Sequence, residues 1–119
     1  MKKIFNYVAI SLILLLGLTH TSLTPLFYKT FDLSALWFAG TGLSFIFLGL
    51  INISRVRSSD KNLRILCLIA NIVALIFCIL IVLVISQPQV YLSLFGIALL
   101  MILSIIELLP VESEINSME

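Results

Sequence analysis

The sequence predicts an all-α fold, an integral membrane antiparallel four-helix bundle forming one domain over residues 1–119. Three observations carry that prediction. Hydrophobic residues make up 61% of the chain and charged residues 11%, against roughly half and a quarter in a soluble domain. So small a protein could not hide that much apolar surface from water. The apolar residues fall into four runs, about 4–23, 34–53, 63–85 and 90–109, each near the ~20 residues a helix needs to span ~30 Å of hydrocarbon. The links between runs are short and polar, which makes sequential helices run antiparallel and pack side by side.

The first run opens with MKKIFNYVAISLILLLGL, a basic start followed by an apolar core. That resembles a signal peptide, but the following LTHTSLTP offers no small-x-small cleavage site and three more spans follow, so an uncleaved helix is expected. The remaining runs also have no interior proline, and none shows the strict alternation of a membrane barrel, so helices satisfy their backbones. TPLFYKTFDL links the first two runs, SRVRSSDKN the second and third, and SQPQ the last two. The tail over residues 110–119, with its acidic VESEINSME, reads as a solvated, frayed end.

Lys2, Lys3, Arg55, Arg57, Lys61 and Arg64 fall on one side of this topology and only Lys29 on the other, so both termini are expected to face the cytoplasm, in the plasma (inner) membrane of a bacterium. Tyr28, Trp37 and Tyr91 gather at the opposite interface and Tyr7 marks the inner one. The cluster from Arg55 to Arg64 is assigned to topology and contact with anionic lipid rather than to nucleic acid.

Each helix has one small or polar stripe: Asn6, Ile10, Ile13, Gly17 and His20 on the first; Ala35, Gly42 and Gly49, with Gly40 and Ser44 alongside, on the second; Cys67, Asn71, Ala74 and Cys78 on the third; Ser93, Gly96, Leu100, Ser104 and Glu107 on the fourth. Packing accounts for most of these, since small residues let helices approach in lipid. Cys67 and Cys78 lie about 16 Å apart along one helix, too far for a disulfide, and read as structural thiols.

Two places are candidates for function. Asn52, Asn71 and Glu107 form an inner polar set, in which Glu107 is expected to pair with Arg55, Arg57 or Arg64 near the interface. At the other end, Ile4 to Leu18 covers only about 22 Å as a helix, so the polar GLTHTSLTPLFY that begins at Gly17 is expected to break near Thr24, before Pro25. It would then form an outer crevice with His20, Thr24, Tyr28, Asp32 and Trp37. His20 is the sharpest member, either as an interfacial histidine bonded to Tyr28, Asp32 or a helix end, or as part of a proton relay or headgroup site. One histidine with no supporting cluster predicts no metal, and no cofactor is expected.

GLTHTSLTPLFY together with ALWFAGTGLSFIFLGLIN, about a third of the chain, resembles small uncharacterised bacterial four-helix membrane proteins of the DoxX-like kind, in which a GxxH-like element late in helix one accompanies a glycine-rich second helix. The resemblance implies a compact bundle and carries over no catalytic residues. The first expectation for function is therefore a membrane binding or accessory protein whose outer crevice takes a lipid, a quinone or a partner helix. The alternative is an oligomeric small-solute transporter or permease. A membrane enzyme ranks last, because His20 and Asp32 lie outside while Asn71 and Glu107 lie inside. Expected partners are membrane lipid, a second copy or another membrane protein.

Overall fold

The computed structural model describes residues 1–109, and the tail expected over residues 110–119 lies outside them. Four helices follow in order: α1 (Lys2–Phe27), α2 (Leu33–Arg57), α3 (Lys61–Val84) and α4 (Pro88–Leu108). At 26, 25, 24 and 21 residues they measure about 32–39 Å at 1.5 Å per residue. All four are long and apolar enough to cross a membrane, and each outlasts or matches its predicted run.

The helices begin where the local chemistry allows. Asp32 Oδ1 accepts from the backbone N–H of Ala35 at 2.9 Å to start α2, and Asp60 Oδ1 accepts from that of Asn62 at 3.0 Å to start α3. Pro88 occupies the first turn of α4, where its missing N–H costs nothing. Arg55 and Arg57 sit in the last turn of α2, where cations complement the exposed carbonyls.

The expected break at Thr24 does not occur: α1 runs through Pro25 to Phe27. Pro25 cannot donate to the carbonyl of Thr21, but it stands in the last turn, where few further bonds depend on it. Neighbouring hydroxyls also bond the ladder, with Thr24 Oγ1 donating to His20 O at 3.0 Å and Thr21 Oγ1 to Gly17 O at 2.9 Å. The N–H of Tyr28 closes the helix on Thr24 O at 3.0 Å. Pro25→Ala is accordingly expected to change unfolding free energy by less than about 1 kcal/mol, against ~3 kcal/mol for a mid-helix proline. A denaturant titration in detergent micelles checks this.

The helices close a ring in which α1 packs on α2 and α4, and α3 on α4 and α2. The α1–α2 seam is the tightest. A Cβ on Gly17 would stand 2.7 Å from the carbonyl oxygen of Gly42, and one on Gly42 would stand 2.8 Å from that of Gly17, so the two backbones touch where side chains are missing. Ala35, Gly42 and Gly49 are buried as a stripe, whereas Gly40 has open space beside it and Ser44 is exposed. The stripes of α1, α3 and α4 also turn inward: Asn6, Ile10, Ile13 and Gly17, then Cys67, Asn71 and Cys78, then Ser93, Gly96, Leu100 and Ser104 are buried. The loosest seam lies between α2 and α3. Outward, each helix shows large apolar side chains, among them Leu15, Phe47, Leu80 and Phe95, an exterior that suits lipid and not water.

Candidate functional site

Polar groups gather at opposite ends of the bundle, with an apolar layer between them. Because sequential helices alternate in direction, the end bearing Met1 also carries the α2–α3 link and the last turn of α4. The other end, bearing Tyr28, carries the α1–α2 and α3–α4 links.

At the Tyr28 end lies a crevice of about 520 Å³, lined by residues of all four helices, among them His20, Tyr28, Trp37, Phe38, Phe45 and Ser93. His20 is half-buried. Its ring stacks on Phe38 with centroids 4.3 Å apart and planes 23° apart, and meets the edge of Phe45 at 6.4 Å. Tyr28 leans on the same Phe38 ring at 5.5 Å. Among the described residues, the His20 side chain forms no hydrogen bond, so its donor and acceptor remain available to an occupant. The hydroxyls nearby are turned to their own helices: Thr41 Oγ1 donates to Trp37 O at 3.0 Å and Ser93 Oγ to Gln89 O at 2.8 Å.

The expected crevice residues divide. His20, Tyr28 and Trp37 line this space together. Thr24 is buried against the α1–α2 seam and lines a separate recess with Thr21, Pro25, Lys29 and Ala35, to which Tyr28 also contributes. Asp32 lines neither, because its carboxylate caps α2. The crevice exists although α1 does not end there: one face of a continuous helix carries His20, and the α1–α2 turn folds Tyr28 over it.

Beside the crevice, along the loose α2–α3 seam, lies a second space, a groove of about 520 Å³. Thr41, Phe45, Phe77, Cys78 and Ile81 line both spaces. Among the described residues, neither lining contains Lys, Arg, Asp or Glu. Below the crevice, Ile13, Ile97 and Leu100 are fully enclosed and form the apolar layer.

Beyond that layer, at the Met1 end, one hydrogen-bonded cluster draws on every helix. Asn52 and Asn71 exchange hydrogen bonds, Asn52 Nδ2 to Asn71 Oδ1 at 2.8 Å and the reverse at 3.2 Å, and Asn71 Nδ2 also donates to Ser104 Oγ at 2.8 Å. Arg55, with no exposed surface, donates from Nε to Asn52 Oδ1 at 3.2 Å and from Nη2 to Asn6 Oδ1 at 2.6 Å. Its Nη1 lies 2.6 Å from Glu107 Oε2, a close ion pair that is not aligned as a hydrogen bond. Asn6 Nδ2 closes the ring by donating to Glu107 Oε1 at 3.1 Å.

Glu107 therefore pairs with Arg55, the first of the three cations considered for it. Arg55 itself departs from the surface role given to it with Arg57, Lys61 and Arg64: it points into the bundle, because α2 continues helically to Arg57 and keeps position 55 on the face of Leu48 and Asn52. Asn6 and Ser104 complete the cluster. Both were visible on the polar stripes, but nothing in one sequence says that two stripes meet at the same height. Phe38 and Phe45, the rings against His20, gave no signal among the many apolar residues of α2. Comparison with family models, with curated proteins and with solved structures found no match to this chain.

Proposed function

We propose that this chain is a multi-pass membrane protein, with both termini on the cytoplasmic side, that binds an uncharged amphiphile, a neutral lipid or a quinone. The head sits in the crevice beside His20 and the tail lies along the α2–α3 groove. The observation that carries this reading is that the two spaces adjoin, sharing Thr41, Phe45, Phe77, Cys78 and Ile81 in their linings, with no charged side chain among the described residues of either. An anionic headgroup would enter such an aromatic crevice without a cation to receive it, and desolvating its charge would oppose binding. An uncharged head needs only a flat ring to rest on and a few hydrogen bonds, which Phe38 and His20 supply.

Orientation rests on the basic residues: Lys2, Lys3, Arg57, Lys61 and Arg64 at the Met1 end against Lys29 at the other. The crevice then opens in the outer leaflet, where a tail naturally points toward the midplane. A solute path through one copy is the weaker reading, since Ile13, Ile97 and Leu100 close the space between the crevice and the polar cluster.

Trp37, the sole tryptophan, lines the crevice but is 65% exposed, so it reports surrounding lipid as well and only a saturable component marks the crevice. Tail-brominated diacylglycerol titrated into nanodiscs of unbrominated lipid is expected to quench Trp37 fluorescence saturably. Tail-brominated phosphatidylglycerol should quench only in proportion to its mole fraction. His20→Ala is expected to weaken the saturable phase about tenfold, the ~1.4 kcal/mol of a lost buried hydrogen bond and stacking contact. Identical linear quenching by both lipids would remove the proposal.

A further inference from the structure

The recess between α1, α2 and their link is a separate space at the Tyr28 end, about 460 Å³, with Thr21, Thr24, Pro25, Lys29 and Phe31 among its lining residues. Its chemistry differs from that of the crevice. Lys29 is exposed and, among the described residues, forms no ion pair, and none of those residues that line the recess is Asp or Glu. Asp32, next along the link, is turned to the N–H of Ala35. The recess therefore holds one cation with no counter-charge.

The α1 side of the same space is rich in acceptors. Thr21 and Thr24 give their hydroxyl protons to Gly17 O and His20 O, so each oxygen is left to accept. Pro25 has no N–H for the carbonyl of Thr21, one turn back, and leaves that oxygen without its helical partner. The last turn of α1 also carries no basic residue, so the negative end of its dipole has no cation within the helix. Around the opening, Leu26, Phe27, Phe31 and Leu33 are all exposed, an apolar rim that suits acyl chains.

We propose that this recess binds the headgroup of a phosphatidylethanolamine at the membrane interface. The phosphate pairs with the Lys29 ammonium, the primary ammonium of the lipid donates to the acceptors of α1, and the acyl chains lie against the apolar rim. A quaternary ammonium has no N–H to donate, and a glycerol headgroup brings no cation to the helix end, so phosphatidylcholine and phosphatidylglycerol each lose one of the two contacts. The inference rests on the reading of the chain as a membrane protein and is independent of what occupies the crevice.

Native mass spectrometry of the full chain in detergent micelles, titrated with an equimolar mixture of the three phospholipids, separates the adducts by mass from one another and from any uncharged occupant of the crevice. The wild type is expected to bind phosphatidylethanolamine about tenfold more tightly than phosphatidylcholine, the effect of a lost hydrogen bond from a charged group. Pro25→Ala, a substitution that the last turn of α1 tolerates, returns an N–H to Thr21 O and is expected to bring that ratio below about threefold. Lys29→Gln removes the phosphate partner that both lipids share and should weaken each by about threefold, with their ratio kept. His20→Ala, which alters the crevice alone, should leave the ratio unchanged. The proposal is overturned by equal affinity for the two zwitterionic lipids, by phosphatidylglycerol binding as tightly as phosphatidylethanolamine, by a preference that survives Pro25→Ala or that His20→Ala abolishes, or by affinities that Lys29→Gln leaves untouched. Displacement of the lipid by an equal concentration of glycerophosphoethanolamine would overturn it as well, since a soluble zwitterion would then be the ligand.

Discussion

Glu107→Leu is expected to be the most destabilising single substitution in the cluster, costing the bundle roughly 3–5 kcal/mol. The cause is the charge left behind. Arg55 has no exposed surface, and its remaining partners, Asn6 and Asn52, supply only neutral carbonyl oxygens. Adding Arg55→Met to the same chain is expected to return stability to within about 1 kcal/mol of the wild type or above it, because a matched apolar pair needs no desolvated charges. Unfolding in mixed micelles measures both. A loss under about 1 kcal/mol for Glu107→Leu alone would mean that Arg55 is not held by its acid.

The second large effect is expected at the α1–α2 seam. Gly42→Leu should cost about 3 kcal/mol, the upper part of the range for overpacking. Its first added carbon would meet backbone, Gly17 O and Thr21 N, each at 2.8 Å, and backbone cannot turn aside as a flexible side chain can. Gly40 gives the comparison within the same helix. Nothing stands within 4 Å of a Cβ built there, so Gly40→Leu is expected to change stability by no more than about 0.5 kcal/mol. Equal losses at both positions would show that the close approach of α1 does not govern them, since helix propensity alone favours leucine over glycine at either.

Much of the architecture could be read from residue order because it follows from periodicity and length. The stripes on α1, α3 and α4 turned inward as expected, since a small or polar residue every three or four positions has one sheltered direction in a bundle. Helix ends were less legible. The hydropathic runs stopped near Leu23 and Ile53, whereas α1 and α2 continue to Phe27 and Arg57, because polar residues remain helical once a hydrophobic span has started the helix. That difference decided the role of Arg55: read as loop, it faces solvent; read as helix, it lies on the buried face.

The crevice was legible in its position and in His20 and Tyr28, which sit within a polar break in an apolar chain, and in Trp37 near the start of the next apolar run. Its shape was not. The rings of Phe38 and Phe45 and the groove along α3 depend on which seam packs loosely, and that is decided between helices. Asp32 shows the same limit at short range, since a carboxylate just before a helix serves equally well as a cap or as a site residue, and only its 2.9 Å bond from Ala35 distinguishes the two.

The central claim is that the crevice and the α2–α3 groove together hold one uncharged amphiphile, and native mass spectrometry of the chain released from nanodiscs tests it most directly. The wild type is expected to retain a single neutral amphiphile per chain. Ala74→Phe, which fills the groove from α3 without touching His20, is expected to lose it. A bare wild-type mass, or bound anionic phospholipid that persists unchanged in Ala74→Phe, would contradict the account.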